Sequence, residues 1–173
     1  MSSIGKDGPA DLREQIVEVL PRVRRFCLAL ARSQDAGDDL CQATVERALS
    51  RADQFIQGTR LDSWMYRIAQ NIFIDDKRRV RTRGHEVDVD NAFALAGDNG
   101  VQIVEGRSDL ASARAAMAAL PEEQRLLMTL VVLDGMSYKE AATTLDIPIG
   151  TVMSRIARAR RAIDRHINGE QVQ

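Results

Sequence analysis

The sequence predicts an all-α protein made of two small helical domains joined by a flexible acidic linker. Apolar residues recur at helical spacing on both sides of a segment that spans residues 84–108. That segment is acidic, contains Gly and Asn, and is only weakly periodic, which is typical of linkers. Near the C-terminus, a capping motif followed by a proline-led restart predicts a helix-turn-helix.

Composition limits where a nucleic-acid surface could lie. The chain has 173 residues, of which 45% are hydrophobic and 28% charged, with a formal net charge of −1. Because the chain is not uniformly basic, any such surface must be local, with acidic residues elsewhere. The expected order is a disordered start (residues 1–10), a first domain (11–83), the linker (84–108), a second domain (109–168) and a tail (169–173).

Several classes of function find no support in the residues. Cys27 and Cys41 lie in apolar helical patterns and are expected to be small buried side chains in a reducing compartment, while His85 and His166 are far apart. We therefore expect no metal site, no cofactor and no catalytic constellation. No signal peptide or membrane span is recognisable, so the sequence predicts a cytoplasmic protein without membrane insertion.

In the first domain, a helix is predicted over residues 12–30, with a kink or a fresh start at Pro21. A second helix is predicted over residues 35–51. One of its faces is apolar, and the opposite face carries an acidic stripe formed by Asp35, Asp39, Gln42 and Glu46. Such a stripe is either a solvated helix face or a docking surface for a basic partner helix.

The next helix combines aromatic and basic residues. It follows a loop over residues 54–60, in which Phe55 is expected to be exposed, and it ends in a basic run at residues 77–83. Its predicted core stripe is Leu61, Met65, Ile68 and Ile72, with Trp64 at the edge. Aromatic rings interleaved with cations are typical of proteins that hold single-stranded nucleic acid, although Trp64 and Phe73 could instead simply belong to the core.

The second domain is predicted to begin with an alanine-rich helix over residues 110–119 and to restart at Pro121. The core residues expected from the restarted helix are Leu126, Leu127, Leu130, Val131 and Leu133. Asp134 and Gly135 are expected to end it.

A helix-turn-helix is predicted to follow. Ser137 and Glu140 form a capping box that starts a short helix, and Pro148 ends it and opens another. The second helix has a buried stripe and an opposite face of hydroxyl and guanidinium groups. The buried stripe is Val152, Ile156, Ala159 and Ile163; the outer residues are Ser154, Arg158, Arg161 and Arg165, flanked by Thr151 and Arg155. This face suits the DNA major groove, although an isolated basic helix can also be merely solvated.

These residues resemble a known family. Residues 120–125, 135–142 and 147–160 are similar to region 4 of extracytoplasmic-function (ECF) sigma factors. Residues 35–44 and 64–71 resemble region 2 of the same family. The resemblance extends over almost all of residues 11–165, in the family's order.

The resemblance implies a sigma factor that binds RNA polymerase core enzyme and directs promoter-specific initiation, in a stress or signal response and restrained by an anti-sigma factor. It implies a region 2 bundle whose acidic stripe faces the β′ clamp helices, and a region 4 helix-turn-helix that meets the β flap. The residues implied at the minus-ten element are Phe55, Arg60, Trp64, Arg67, Asn71, Lys77 and Arg78. Those implied at the minus-thirty-five element are Thr151, Ser154, Arg155, Arg158 and Arg161. The linker would lie near the RNA-exit region.

Some alternatives stay open. Ile149 and Met153 are apolar on a helix surface that is often polar, so they could contact thymine methyls or an inhibitory partner. A plain helix-turn-helix regulator is a rival, although residues 11–83 contain no recognisable ligand or phosphoacceptor domain. A sigma-like decoy that sequesters an anti-sigma protein is another, and the basic residues of the last helix argue against it.

Overall fold

The structure is a computed structural model that describes residues 9–31, 33–82 and 106–168, and every regular element in those ranges is helical. The elements are α1 (Pro9–Ala31), α2 (Gln34–Ser50), a 3₁₀ turn (Ala52–Gln54), α3 (Leu61–Thr82), α4 (Gly106–Ala119), α5 (Glu122–Met128), a π-helical turn that extends α5 (Thr129–Leu133), α6 (Tyr138–Leu145) and α7 (Ile149–Ile167). The predicted all-α fold is confirmed. We call α1–α3 the N-terminal half and α4–α7 the C-terminal half.

Parts of the predicted domain plan lie outside the described residues, namely residues 1–8, 83–105 and 169–173. Two helices begin before the predicted domain boundaries. Pro9 and Ala10, expected in the disordered start, open α1, because proline suits the first turn of a helix. Residues 106–108, expected in the linker, open α4, which begins earlier than its alanine-rich run indicates.

The N-terminal half is a three-helix bundle. Its core includes Val23, Phe26 and Met65, each fully buried. α1 and α2 approach so closely that a Cβ on Gly37 would lie 2.6 Å from Leu28 Cδ2 and 2.9 Å from Leu28 Cα. A glycine is therefore required at this contact. α1 contains Pro21 and starts no second helix there.

In the C-terminal half, α4 and α5 both pack against α7. Leu126, Leu127 and Leu130 are buried as predicted, and Val131 is half-buried. Leu133 is 52% exposed, so its predicted place in the core was wrong. The reason is the π-helical turn, in which the wider winding rotates the last residues away from the stripe that an α-helical period predicts.

The helix-turn-helix forms as the sequence predicted. Ser137 accepts a hydrogen bond from the Glu140 amide at 3.2 Å, and Glu140 accepts one from the Ser137 amide at 2.8 Å, which completes the capping box. Asp146 ends α6 in the left-handed conformation, with φ of 53°, and α7 starts after Pro148. The stripe predicted from Val152 to Ile163 faces the core.

The two halves pack against each other through α1 and α3 on one side and α5 and α6 on the other. Arg125 is buried at this junction, where its Nε donates to the Ala29 carbonyl at 2.9 Å and its Nη1 donates to the Leu120 carbonyl at 3.0 Å. Ala29 lies in the last turn of α1, where carbonyl groups lack helical partners. A buried cation of the second half thus satisfies the end of a helix in the first.

A second buried cluster joins the halves nearby. The Asp134 side chain accepts hydrogen bonds from Arg25 Nη2 and from the Tyr66 hydroxyl, each at 2.6 Å. Tyr66 also stacks on Phe26, with ring centroids 4.5 Å apart. Burial and the hydrogen bond to Asp134 raise the pKa of Tyr66 well above its ordinary value, so the hydroxyl stays a donor.

Both cysteines are buried, as predicted. A hydrogen bond with Cys41 and burial together raise the pKa of Cys27, which keeps that thiol protonated. Each helix in the described ranges is too short or too polar to cross a lipid bilayer.

Candidate nucleic-acid and protein interfaces

The outer face of α7 is the first candidate interface. Ser154, Arg158 and Arg161 are exposed and Thr151 is half-buried, as the sequence predicted. Ser154 donates to the Thr151 carbonyl at 3.0 Å, and Arg161 donates to the Ala157 carbonyl at 3.3 Å, so both side chains are held along their own helix. The face presents hydroxyl and guanidinium groups that can meet base edges or phosphates.

Arg155 differs from the other arginines on α7. It is half-buried and forms an ion pair with Glu123 at 2.6 Å. Glu123 belongs to α5, in the same half of the protein. Arg155 would have to leave this carboxylate, or share it, to contact DNA.

Two apolar residues lie at the start of the same helix. Ile149 is 49% exposed and Met153 is 54% exposed. They are four residues apart and therefore lie on one side of α7, beside the polar outer face. The sequence expectation that they are surface residues is confirmed, and the alternatives of thymine methyls or a protein partner both remain.

The loop before α3 gives one clear correction. Phe55 was expected to be exposed, but it is only 8% exposed and its ring lies 5.3 Å from that of Trp64. The exposed apolar residue of this loop is its neighbour Ile56, at 72%. The larger aromatic ring gains more from burial, so it turns inward and leaves the isoleucine outside. Phe55 can therefore support this surface but does not present its ring to a ligand.

Arg60 lies at the start of α3 among acidic groups. It donates to both oxygens of Asp62, at 3.1 and 2.7 Å, and to Glu140 at 2.7 Å. Burial would raise the pKa of Asp62, but the hydrogen bonds from Arg60 and the Ser63 amide outweigh it and lower that pKa. Hydrogen bonds from Ser137, and then from Arg60, lower the pKa of Glu140 to about 2.

Two further cations on α3 also contact the C-terminal half. Arg67 donates to the Thr143 carbonyl at 2.7 Å, and Lys77 donates to Glu122 at 2.8 Å, so both reach the C-terminal half. The Lys77 ammonium also lies 4.3 Å from the centroid of the Phe73 ring. Asn71 and Arg78 are exposed, and so are Arg67 and Lys77. The basic run continues to Arg83, which lies outside the described residues.

A cleft of about 450 Å³ separates the start of α3 from α6. Residues of the N-terminal half, including Ile56, Trp64 and Arg67, line one side of the cleft. Lys139 and Thr143 of α6 line the other side. Trp64 is half-buried, with part of its ring available to the cleft. Of the predicted single-strand residues, Arg60, Trp64 and Arg67 thus line this cleft, while Phe55, Asn71, Lys77 and Arg78 lie outside its lining.

The acidic stripe of α2 is the third candidate interface. Its four residues, Asp35, Asp39, Gln42 and Glu46, are all exposed, which confirms their predicted orientation. Gln42 donates to Glu46 at 3.0 Å, one turn apart. The stripe offers oxygen acceptors and negative charge to a basic partner.

Sequence reasoning did not identify several residues that shape these surfaces. Asp134 was expected only to end its helix, and no contact between the halves was predicted for Tyr66 or Arg125. Each makes its decisive contact with a residue far away in sequence, at a separation of 68 residues for Tyr66 and Asp134 and of 96 for Arg125 and Ala29. Only the length and polarity of these side chains beside apolar runs could have pointed to buried contacts.

Comparison with known families matches both halves. Residues 110–163 match the family model described as Sigma-70, region 4. Residues 16–70 match the model described as the Sigma2 domain of PhyR. These ranges contain the outer face of α7 and the acidic stripe of α2, respectively.

Individual relatives extend the match along the chain. The ECF RNA polymerase sigma factor EcfG of Rhodopseudomonas palustris is 35% identical over 149 residues, which cover 86% of this chain and 81% of that protein. The RNA polymerase sigma factor HrpL of Pseudomonas syringae pv. syringae is 30% identical over 164 residues, covering 92% and 88%.

A solved structure agrees with these relatives. The sigma factor RpoE of Bartonella quintana, crystallised with the anti-sigma factor NepR, superposes with a TM-score of 0.76 at 28% identity and covers 93% of this chain and 99% of that one. The helix order, the two family models and relatives of 30% and 35% identity over most of their length all agree. The chain belongs to the ECF RNA polymerase sigma factors.

Proposed function

We propose that this sigma factor binds core RNA polymerase through α2 and directs it to promoters through two DNA contacts, one on α7 and one on α3. The observation that carries the proposal is the outer face of α7, where Ser154, Arg158 and Arg161 stand exposed behind a capped α6. In a helix-turn-helix, the second helix enters the major groove of duplex DNA. α7 therefore recognises the minus-thirty-five element, and Thr151 and Arg155 flank the contact.

The second DNA contact lies on α3, at the cleft. Trp64 offers part of an aromatic ring for stacking, while Asn71 and Arg78 are exposed along the same helix. A melted minus-ten strand has unpaired bases that stack on such a ring and phosphates that bind nearby cations. The other proposed contacts to the minus-ten strand are Arg60, Arg67 and Lys77. Phe55 would support Trp64 by packing against its ring.

The acidic stripe of α2 is the proposed polymerase-docking surface, with the β′ clamp helices as its partner. Its exposure and its negative charge support the assignment, because complementary charge speeds and orients association. The C-terminal half would contact the β flap. The protein performs no bond chemistry in this scheme, and it acts in the cytoplasm, where the polymerase works.

An anti-sigma factor is the proposed regulator. The related RpoE of Bartonella quintana was crystallised with such a protein, NepR. Exposed Ile149 and Met153 offer apolar area where a protein inhibitor could bind the C-terminal half. The response would be to a stress or another signal.

A second candidate function is supported by one observation. The N-terminal match is to the Sigma2 domain of PhyR, and the Bartonella quintana PhyR was crystallised as an anti-anti-sigma factor with NepR. A decoy would bind the anti-sigma protein and never initiate transcription.

Run-off transcription from a promoter library tests both candidates. Purified core enzyme is assayed with and without this protein, and the transcripts are sequenced. Selective transcripts sharing two spaced promoter elements would support the sigma function. Absence of transcripts, together with tight binding to an anti-sigma protein, would favour the decoy.

A further inference from the structure

Three cations assigned above to the minus-ten contact are occupied by the C-terminal half of the same chain. Arg60 binds Glu140 at 2.7 Å, Arg67 binds the Thr143 carbonyl at 2.7 Å, and Lys77 binds Glu122 at 2.8 Å. In each contact the acceptor is an oxygen atom. Phosphate oxygens are acceptors of the same kind for guanidinium and ammonium groups, so DNA and the C-terminal half compete for these side chains.

The contacts lie on a built junction rather than on loosely touching surfaces. Thr144 Oγ1 donates to Ser63 Oγ at 3.2 Å, directly beside the cations. The same junction contains the buried contact of Arg125 with α1 and the cluster around Asp134. These buried groups hold α5 and the turn after it against α1 and α3, because breaking their hydrogen bonds leaves polar groups without partners.

The other two candidate interfaces stay open in the same arrangement. Arg158 and Arg161 on α7 are exposed, and so is the acidic stripe of α2. The C-terminal half therefore bonds to cations of the proposed minus-ten surface while those surfaces stay exposed.

We propose that the C-terminal half is an internal inhibitor of the minus-ten surface: in the free protein α5 and α6 occupy Arg60, Arg67 and Lys77, and the halves separate before single-stranded promoter DNA is held. This inference rests on the proposed minus-ten role of α3. It deepens that role by assigning its regulation to a contact within the chain. An anti-sigma protein can add to this inhibition but is not required for it.

A reversible crosslink tests the proposal directly. Ser63 and Thr144 are changed together to cysteine (S63C/T144C), because their hydroxyl groups already meet across the junction. Oxidised glutathione closes the disulfide and dithiothreitol reopens it, so one protein preparation supplies both states. The single variants S63C and T144C and the wild type, whose own cysteines are buried, receive the same treatments as controls.

The readout is run-off transcription with core enzyme from a promoter that the wild type recognises. We expect the oxidised double variant to initiate at least about tenfold less than its reduced form, because both minus-ten contact and separation are blocked. A crosslinked protein that initiates as well as its reduced form would overturn the proposal. Failure of the disulfide to form would overturn the junction itself. A wild type that never initiates would instead contradict the proposed sigma function.

A charge-neutralising pair tests the inhibition without a crosslink. E122Q/E140Q removes the carboxylate partners of Lys77 and Arg60, and glutamine at position 140 can keep the capping box. We expect affinity for a single-stranded oligonucleotide carrying the minus-ten element to rise about fivefold.

The matched control is E123Q, which makes the same chemical change in α5. Glu123 pairs with Arg155 inside the C-terminal half, so this variant should leave single-strand affinity unchanged. Equal gains in the control and the double variant would show a general effect of charge and overturn the specific pairing. No gain in the double variant would also overturn it.

Discussion

The cations of α3 and those of α7 are alike in sequence and different in the structure. Arg158 and Arg161 on α7 are exposed, and so are Arg67 and Lys77 on α3. The α3 pair, however, also donates to oxygen atoms of the other half of the protein. The difference teaches that a basic helix face does not by itself indicate a free surface. What decides is whether a distant segment of the chain supplies oxygen acceptors within reach.

The contacts of the α3 cations with the C-terminal half depend first on the junction between the two halves. Arg125→Met removes the donors to the Ala29 and Leu120 carbonyls while keeping much of the side-chain volume. Buried acceptors left without partners cost about 1–3 kcal/mol each, so we expect a loss of about 3 kcal/mol in the free energy of unfolding. Urea denaturation followed by circular dichroism measures it.

Arg158→Met is the matched control for that variant, since it makes the same change at an exposed position of the same half. Its unfolding free energy should stay within about 0.5 kcal/mol of the wild type. Equal losses in the two variants would mean that Arg125 is not a fixed element of the junction.

The exposed arginines of α7 are tested by their effect on binding to duplex DNA. Arg158→Ala should weaken binding to duplex DNA carrying the minus-thirty-five element by about 1–3 kcal/mol if the guanidinium contacts a base. Fluorescence anisotropy at fixed salt measures the affinity, and Arg13→Ala on α1 provides a control with the same charge change. Unchanged affinity and selectivity in R158A would remove this residue from the recognition surface.

Local features of the fold were predictable because they depend on residues close in sequence. The capping box of Ser137 and Glu140 spans one helical turn, and the buried stripe of α7 follows the helical period. Orientation of the acidic stripe and of the α7 arginines followed for the same reason. These surfaces are the part of the candidate site that sequence could supply.

Long-range pairing could not be predicted in the same way. Arg60 and Glu140 lie 80 residues apart, and Tyr66 and Asp134 lie 68 apart. Helical periodicity places a side chain on a face but contains no information about what packs on that face. Phe55 and Ile56 show the same limit at a smaller scale, because the contact with Trp64 decides which of two adjacent apolar residues is buried.

The acidic stripe of α2 extends the comparison to a third exposed face. Asp39→Arg reverses a charge there and should weaken core-enzyme binding by about 1 kcal/mol, mainly through slower association at low salt. Surface plasmon resonance at two salt concentrations would detect this change. Glu18→Arg, an equal reversal on the exposed side of α1, is the control. Loss of helicity in D39R would instead assign the stripe a structural role.

The smallest expected effect concerns the pairing of α3 with Glu140. Because hydrogen bonds lower the pKa of Glu140 from its ordinary value of 4.5 to about 2, its ionised form stabilises the folded protein above pH 4.5. That contribution is lost as the pH falls from 4.5 through 2. Glu140→Gln lacks it at every pH, so the stability difference between wild type and E140Q should be largest near neutral pH and shrink on acidification.

Urea denaturation at a series of pH values between 7 and 3 measures this difference. Glu14→Gln, which removes one carboxylate from an exposed position on α1, shows how much of the change comes from net charge alone. A difference that stays constant with pH would mean that Glu140 is not stabilised as a carboxylate. The pairing of Glu140 with Arg60 would then not stabilise the contact between the halves. That contact would depend instead on Arg67, Lys77 and the buried junction.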